Sequence, residues 1–460
     1  MSDDLIISGS GSYAIATDEL YASAQQLGAL STEAGAISVQ LSWIDRIESS
    51  AWLAQVGAPQ SAMRAEDDIY LARVLLVEVE LQARLLQYGV NTAADGYGFV
   101  ELIAAQQTHG LIGNAAALAG AFWPVASVAS ATLVTAGLLG GFDKDDASRL
   151  FSNPVMVAAT REAVMAADDA MMGAAGVPHP VARLIGDEGF GLSGVALAAG
   201  GLVVAGSAVG AFVETETRVS PTSAGLRQAP PSGFAERLDR IPAPSAGGGA
   251  QVIIEKYEQP GRPDRFEVYI AGTVRFDALE STEPWDLTSN VVNATDRSSG
   301  SYRSVVQAMS DAGIDKSSPV QFTGYSQGGG IAALLAASGD YNTQGVVSFG
   351  GPTGQTPIPS GVPVVLVEHT DDIVPALGGA QDNREAVIVQ RNAFGGVQSP
   401  VDEVIPAHQL ASYRETAGLM DEAKSSQVRE AISKLDRFGL GATRITSTQY
   451  TCVRVSSGPS

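Results

Sequence analysis

Cys452 is the single cysteine in 460 residues, so no intramolecular disulfide can form and no cysteine cluster can hold a metal. Histidine is almost as scarce. His109, His179, His369 and His408 are the whole set, too few for a histidine-rich metal site. Basic residues are outnumbered, 28 against 50 acidic, for a net charge of −22. Nucleic-acid binding needs a basic face, so that class is excluded. The acidity reads as a soluble, self-repelling surface. Residues 1–20, MSDDLIISGSGSYAIATDEL, have neither a basic start nor a long apolar core and do not read as a conventional signal peptide. Charge is missing altogether between Glu101 and Asp143, and again between Glu188 and Glu214. The second stretch is long enough to span a bilayer and is rich in the small residues that let membrane helices approach. Asn114 and Pro124 interrupt the first. Burial in a helical domain and membrane association are the two readings of this pair.

What the chain does contain is enough apolar residue, 45%, to rule out disorder, and enough length for two or three domains. In residues 15–56, Thr17 with Asp18 and Glu19 suits a helix start. Leu20, Ala24, Leu27, Ala34, Ile37, Leu41 and Ile44 then recur at helical spacing along one face. Gly57-Ala58-Pro59 breaks the pattern, and Ile69, Leu76, Val79, Ala83 and Leu86 line a second helix. Two amphipathic helices joined by a short turn predict an antiparallel hairpin. Residues 214–250, with SPTSAGLRQAPPSG and PAPSAGGGA, read as a Pro/Ser/Gly-rich linker around a short helix.

Beyond the linker the rhythm becomes strand, helix, strand, which predicts a mostly parallel sheet with helices on both faces. Within it, PVQFTGYSQGGGIAALLAA (319–337) puts Ser326 between Gly324 and Gly328, at the point where a strand turns into an Ala/Leu-rich helix. This suits a nucleophile elbow: the serine stands clear of the sheet, and the backbone N–H of Gln327 faces the same space at the helix start. A serine needs a base, and the base an orienting acid. In chain order Ser, Asp or Glu, His, the base is His408, in Pro406-Ala407-His408 before the last helix. His369, at the end of the strand VVLVEH, is the other histidine that follows Ser326. The acid is Asp371 or Asp372, adjacent residues that point in different directions. A second oxyanion donor is expected from the loop Tyr269-Ile270-Ala271-Gly272-Thr273. Trp285 and residues 280–293 read either as a small lid or as core packing.

Three resemblances follow from these residues. About one hundred residues of helical hairpin, with Trp43 or Trp52 near the turn and Tyr97-x-x-x-Glu101 beyond the second helix, look like the WXG-type export modules of actinobacterial type VII secretion. The turn here lacks a Trp-x-Gly. Asp372-Ile373-Val374-Pro375 resembles the acid turn of the class 3 lipases, which selects Asp372 over Asp371. Ala271-Gly272-Thr273 resembles the Arg-Gly-Thr of the same lipases, with alanine in place of arginine, and assigns Thr273 to the oxyanion hole. Gly-Tyr-Ser-Gln-Gly is also the elbow of cutinase-like esterases, although cutinases carry disulfides and this chain can form none.

The expected organisation is a helical hairpin, export-module-like, over 1–105. An apolar helical region follows over 106–213, a linker over 214–250, an α/β-hydrolase catalytic domain over 251–440 and a tail over 441–460. The expected activity is that of a serine hydrolase cleaving carboxylic esters of lipids or the cell envelope. Its catalytic residues would be Ser326, Asp372 and His408, its oxyanion donors Thr273 and Gln327, with no metal or organic cofactor. The implied partners are the ester or lipid substrate and export machinery or a helical partner. The implied location is secreted or cell-surface, with the cytoplasm as alternative. An exported or membrane-inserting interaction or toxin-like protein whose hydrolase domain is secondary or inactive is the competing reading.

Overall fold

In the computed structural model, the described residues are 5–8, 28–41, nine positions between 68 and 83, 148, 151–165, 194–207, 211–243, 248–276, 281–295, 298–383, 385–394 and 403–455. The chain divides into two units. One is Tyr13–Gly110, and the other joins Met1–Ser12 to Leu111–Ser460. In the first, residues 28–41 are helical, as are the described residues between 68 and 83. A Cβ on Gly35 would lie 3.5 Å from Glu80 Oε2, so the two helical segments touch. Trp43, Trp52, Tyr97 and Glu101, and the apolar stretch 102–142, lie outside the described residues. No helix among the described residues is long and apolar enough to cross a membrane.

The second unit is built on one nine-stranded mixed sheet. Its elements are β1 (Ile6–Ser8), α1 (Pro154–Met165), α2 (Gly194–Ser207), β2 (Thr217–Arg227), α3 (Gly233–Arg240), β3 (Val252–Glu258), β4 (Arg265–Ile270), α4 (Leu287–Thr295) and α5 (Gly300–Asp311). There follow β5 (Pro319–Tyr325), α6 (Gln327–Ala337), β6 (Asn342–Phe349), β7 (Val364–His369), α7 (Ile373–Ala376), β8 (Val387–Arg391), a 3₁₀ turn at Pro406–His408, α8 (Leu410–Glu422), α9 (Ser426–Asp436) and β9 (Arg444–Arg454). The strand order is β1-β8-β7-β6-β5-β4-β3-β9-β2. Strands β4 to β8 are parallel, and the outer ones are antiparallel.

Five parallel strands laid down in sequence, without reversal, have a physical consequence. Right-handed crossovers that all step the same way put their helices on the same face. Residues of α5 and α6, among them Val305, Met309, Ile331 and Leu335, accordingly share one core with Val320 and Phe322 of β5. The other face must be covered from outside the run. It is packed by α3 (Phe234, Leu238), α8 (Tyr413, Met420) and α9 (Leu435), against Tyr325, Val347 and Val365. Period-two alternation along each strand divides its residues between the two cores.

Four expectations are corrected. The supposed linker supplies an edge strand, β2, beside the short helix expected within it, α3. Its proline signalled a turn, but Pro221 sits where the β2–β9 register shifts, on the outermost strand, the position in a sheet that tolerates proline. The supposed tail supplies β9, which is an interior strand between β3 and β2. The N-terminal residues 6–8 pair with β8 rather than belonging to a helical domain. The last helix, which the sequence pattern carries without a break from Leu410 to Phe438, is two helices, α8 and α9, separated by Ala423-Lys424-Ser425.

At the end of β9, Arg454 is buried and forms ion pairs with Asp286 and with Glu214 Oε1 (2.9 Å), and donates to Ser289 Oγ (2.8 Å). Burial pushes the Asp286 carboxyl up, and Arg454 counters that push. Removing the arginine would leave an uncompensated buried charge. Arg454→Ala is therefore expected to destabilise the second unit by about 3–5 kcal/mol, read from the midpoint of urea denaturation. A loss under about 1 kcal/mol would mean that β9 does not depend on this pair.

Candidate active site

The C-terminal ends of β4, β5 and β7 lie along the same edge of the sheet, because the strands run parallel, with β6 between β5 and β7. The loops that leave those ends carry Thr273, Ser326 and Asp372. His408 reaches the same edge in the 3₁₀ turn before α8.

Ser326 occupies φ 55°, ψ −123°, a conformation that side chains avoid. Two glycines make it possible. A Cβ on Gly324 would lie 2.1 Å from Gly328 O, and one on Gly328 would lie 2.2 Å from Ile270 O. Strand β5 and helix α6 meet backbone to backbone, and any side chain there would force them apart. Ser326 caps α6 by position, yet its hydroxyl makes no cap bond. It is turned toward His408 instead: Ser326 Oγ is 2.7 Å from His408 Nε2.

His408 Nδ1 lies 2.6 Å from Asp372 Oδ2. A carboxylate only accepts, so Nδ1 carries the proton, and Nε2 is left to accept from the Ser326 hydroxyl. Asp372 is held by two further donors, Val374 N–H to Oδ1 (3.0 Å) and the Tyr413 hydroxyl to Oδ2 (2.7 Å). Burial would raise this carboxyl. The His408 imidazole, together with those hydrogen bonds, outweighs burial and holds it below the usual carboxylate range. Ser326 and His408 are each 5% exposed, and Asp372 is buried.

The alternative acid and base have other partners. Asp371 accepts the N–H groups of Ala393 (2.9 Å) and Phe394 (3.2 Å), tying its turn to the end of β8. His369 Nδ1 lies 2.7 Å from Ala407 O and Nε2 2.7 Å from Thr416 Oγ1, with its ring stacked on Tyr413 at 4.0 Å. Burial lowers its affinity for a proton. As a neutral ring, His369 donates from Nδ1 to the carbonyl and accepts the Thr416 hydroxyl at Nε2. It thus fixes the residue before His408.

On the other side of Ser326, the loop after β4 lies against the serine: a Cβ on Gly272 would be 3.1 Å from Ser326 Cβ. Thr273 Oγ1 accepts from Asn290 Nδ2 (2.9 Å) on α4, which leaves the threonine its own proton to donate. Gln327 is the first residue of α6, and its side-chain amide is committed to Ser301 Oγ (3.1 Å). Its backbone N–H belongs to the first turn of the helix, where such groups lack intrahelical acceptors. Trp285 is fully buried and is a core residue rather than a lid. Its indole N–H donates to Ala271 O (3.0 Å), and its carbonyl accepts Val274 N–H (2.7 Å) and Arg275 N–H (3.1 Å).

The structure thus brings Ser326, His408 and Asp372 into one hydrogen-bonded chain and sets the Thr273 loop and Gln327 beside it. The sequence reading missed Asn290 and Tyr413. Neither carries a local signal, since each matters only through a partner distant in the chain. No family model matches the chain, and neither a curated protein nor a solved structure matches it.

The geometry of the turn is testable by itself. Gly328→Ala would drive a methyl into the carbonyls of Ile270 (2.2 Å) and Ala271 (2.5 Å), which are backbone atoms and cannot rotate away. A destabilisation of about 1–3 kcal/mol or more is expected, measured by chemical denaturation. Unchanged stability would contradict the close contact of β4, β5 and α6.

Proposed function

We propose that the chain is a serine hydrolase of the α/β-hydrolase type that cleaves carboxylic esters through an acyl-enzyme. The observation that carries this reading is the unbroken relay from Ser326 Oγ to His408 (2.7 Å) and from His408 to Asp372 (2.6 Å) on a strained strand-to-helix turn. Ser326 Oγ attacks the ester carbonyl carbon while His408 Nε2 takes its proton. The carbonyl oxygen becomes an oxyanion, received by the N–H groups of Thr273 and Gln327 and by the Thr273 hydroxyl. One such donor is worth about 2.7–4 kcal/mol of barrier. Collapse of the tetrahedral intermediate breaks the ester C–O bond, and His408 returns its proton to the leaving alcohol. Water, deprotonated by His408, then releases the acid and restores Ser326. Asp372 holds the imidazole tautomer throughout and does not itself take the proton.

Esters with an apolar acyl part, as in lipids or the cell envelope, are the favoured substrates. In support, α1 packs on α7, directly after Asp372, and Val157 of α1 shares an apolar cluster with Phe151, Ile373, Ala376 and Ile405. The apolar helix α2 lies against α4, which carries Asn290.

A fluorophosphonate probe is expected to label the wild-type protein and to leave Ser326→Ala unlabelled. Turnover of p-nitrophenyl esters should fall by at least about 10⁴-fold in His408→Ala. The activity is expected to rise from acetate toward longer acyl chains. Labelling that persists without Ser326, or a folded wild type that neither labels nor turns over, would overturn the reading.

A further inference from the structure

We infer that Tyr413 is a positioning residue that sets how strongly Asp372 holds His408, and with it the acid side of the activity profile. The inference rests on the triad reading above. Tyr413 lies on α8, outside the elbow, the acid turn and the base turn, and nothing in the triad chemistry requires it.

The Tyr413 hydroxyl and His408 Nδ1–H both reach the same oxygen, Asp372 Oδ2, at 2.7 Å and 2.6 Å. Two donors on one carboxylate oxygen share its charge, so each bond is weaker than it would be alone. The phenol is fixed in that role. Burial, and then the Asp372 charge, keep its proton on the oxygen, so it donates rather than accepts from the carboxyl side. Its remaining lone pair accepts His369 N–H at 3.3 Å. Its ring is held by His369 stacked at 4.0 Å and by Tyr325 edge-on at 5.9 Å. Space for the hydroxyl end exists because residue 350 is glycine: a Cβ there would stand 2.8 Å from both Cζ and Oη of Tyr413.

The other titratable groups around this oxygen have different commitments. Tyr325, on β5, stacks on His408 at 5.3 Å and donates its hydroxyl to the His408 carbonyl. His369, on β7, is committed to Ala407 and Thr416. Asp371 is turned to the N–H groups of Ala393 and Phe394. Arg391, on β8, binds Thr416 Oγ1 (3.1 Å) and Glu415 (3.0 Å). Only Tyr413 and His408 place side-chain protons on Asp372 Oδ2 among the described residues. Removing the phenol proton therefore returns the full charge of Oδ2 to His408, which favours the imidazolium. The neutral base is then reached only at higher pH.

The test is Tyr413→Phe in the full chain. Its acid limb of kcat/KM for a p-nitrophenyl ester is expected to move up by about one pH unit. A second variant reverses the perturbation: 2,3-difluorotyrosine placed at position 413 by stop-codon suppression is a stronger donor of nearly the same volume. It should move the acid limb down. Both are also read without turnover, from the low-field His408 Nδ1–H proton resonance, identified by its absence in His408→Ala. That signal should move downfield in Tyr413→Phe and upfield with difluorotyrosine. Unmoved resonances and an unmoved acid limb in both variants would overturn the inference and leave Tyr413 a packing residue. Resonances that move as stated in a protein that turns over no ester would uphold the coupling while overturning the proposed function.

Discussion

The backbone of Ser326 is the constraint on which the site depends. A non-glycine residue in that region costs on the order of 1–3 kcal/mol, and the turn keeps it there by anchoring both of its peptide groups. The Ser326 N–H donates to Phe349 O on β6 (2.8 Å), and the Ser326 carbonyl accepts from Gly329 (2.9 Å) and Gly330 (3.2 Å) in α6. Because β5 lies between β4 and β6, a shift of the turn would disturb two strands and a helix at once. The hydroxyl is thus held rigidly at the sheet edge, and the loops that carry Asp372 and His408 have to find it.

Those loops are fixed by polar groups that the apolar cores beneath them do not contain. Asp372 receives three donors, and His369 ties Ala407, the neighbour of His408, to Thr416 on α8. On the far side of the acid turn, Glu368 is buried and binds Arg161 of α1 (3.1 Å) and Gln381 (2.7 Å). Helix α1 is therefore joined to the strand that leads into the Asp372 turn by a partly buried ion pair as well as by apolar packing. Such a pair fixes register more than it adds stability.

How much of this was legible in the sequence followed from how local each signal was. The elbow announces itself within nineteen residues, 319–337, because glycines, serine and helix formers must all sit at fixed offsets, and the observed β5 and α6 fall where that pattern places them. His408 followed from chain order. Asp372 needed the turn that follows it, since Asp371 has the same chemistry and a different direction. Strand β9 was overlooked although RITSTQYTCVR alternates as a strand should, because its pairing partner, β3, lies nearly two hundred residues earlier. Strand β2 was hidden by Pro221, whose meaning changes with position: a stop in a central strand, tolerable on an outer one. Tyr413 and Asn290 are ordinary helix residues until the fold brings Asp372 and Thr273 to them.

The three-residue pairing of Ile6–Ser8 with β8 gives the helical unit an unusual place in the chain. Since Met1–Ser12 belongs with Leu111–Ser460, the unit Tyr13–Gly110 is an insertion: the chain leaves the sheet, forms the unit and comes back. An insertion is tethered at two ends. Excising it calls for splicing rather than trimming, since cutting from the N-terminus would also strip the sheet of an edge strand. Loop-closure entropy rises only logarithmically with length, so even an unfolded insertion of about a hundred residues would add only modestly to the work of holding β1 in place. The sheet is free to fold around the insertion, and selection is free to vary the insertion without unmaking the sheet.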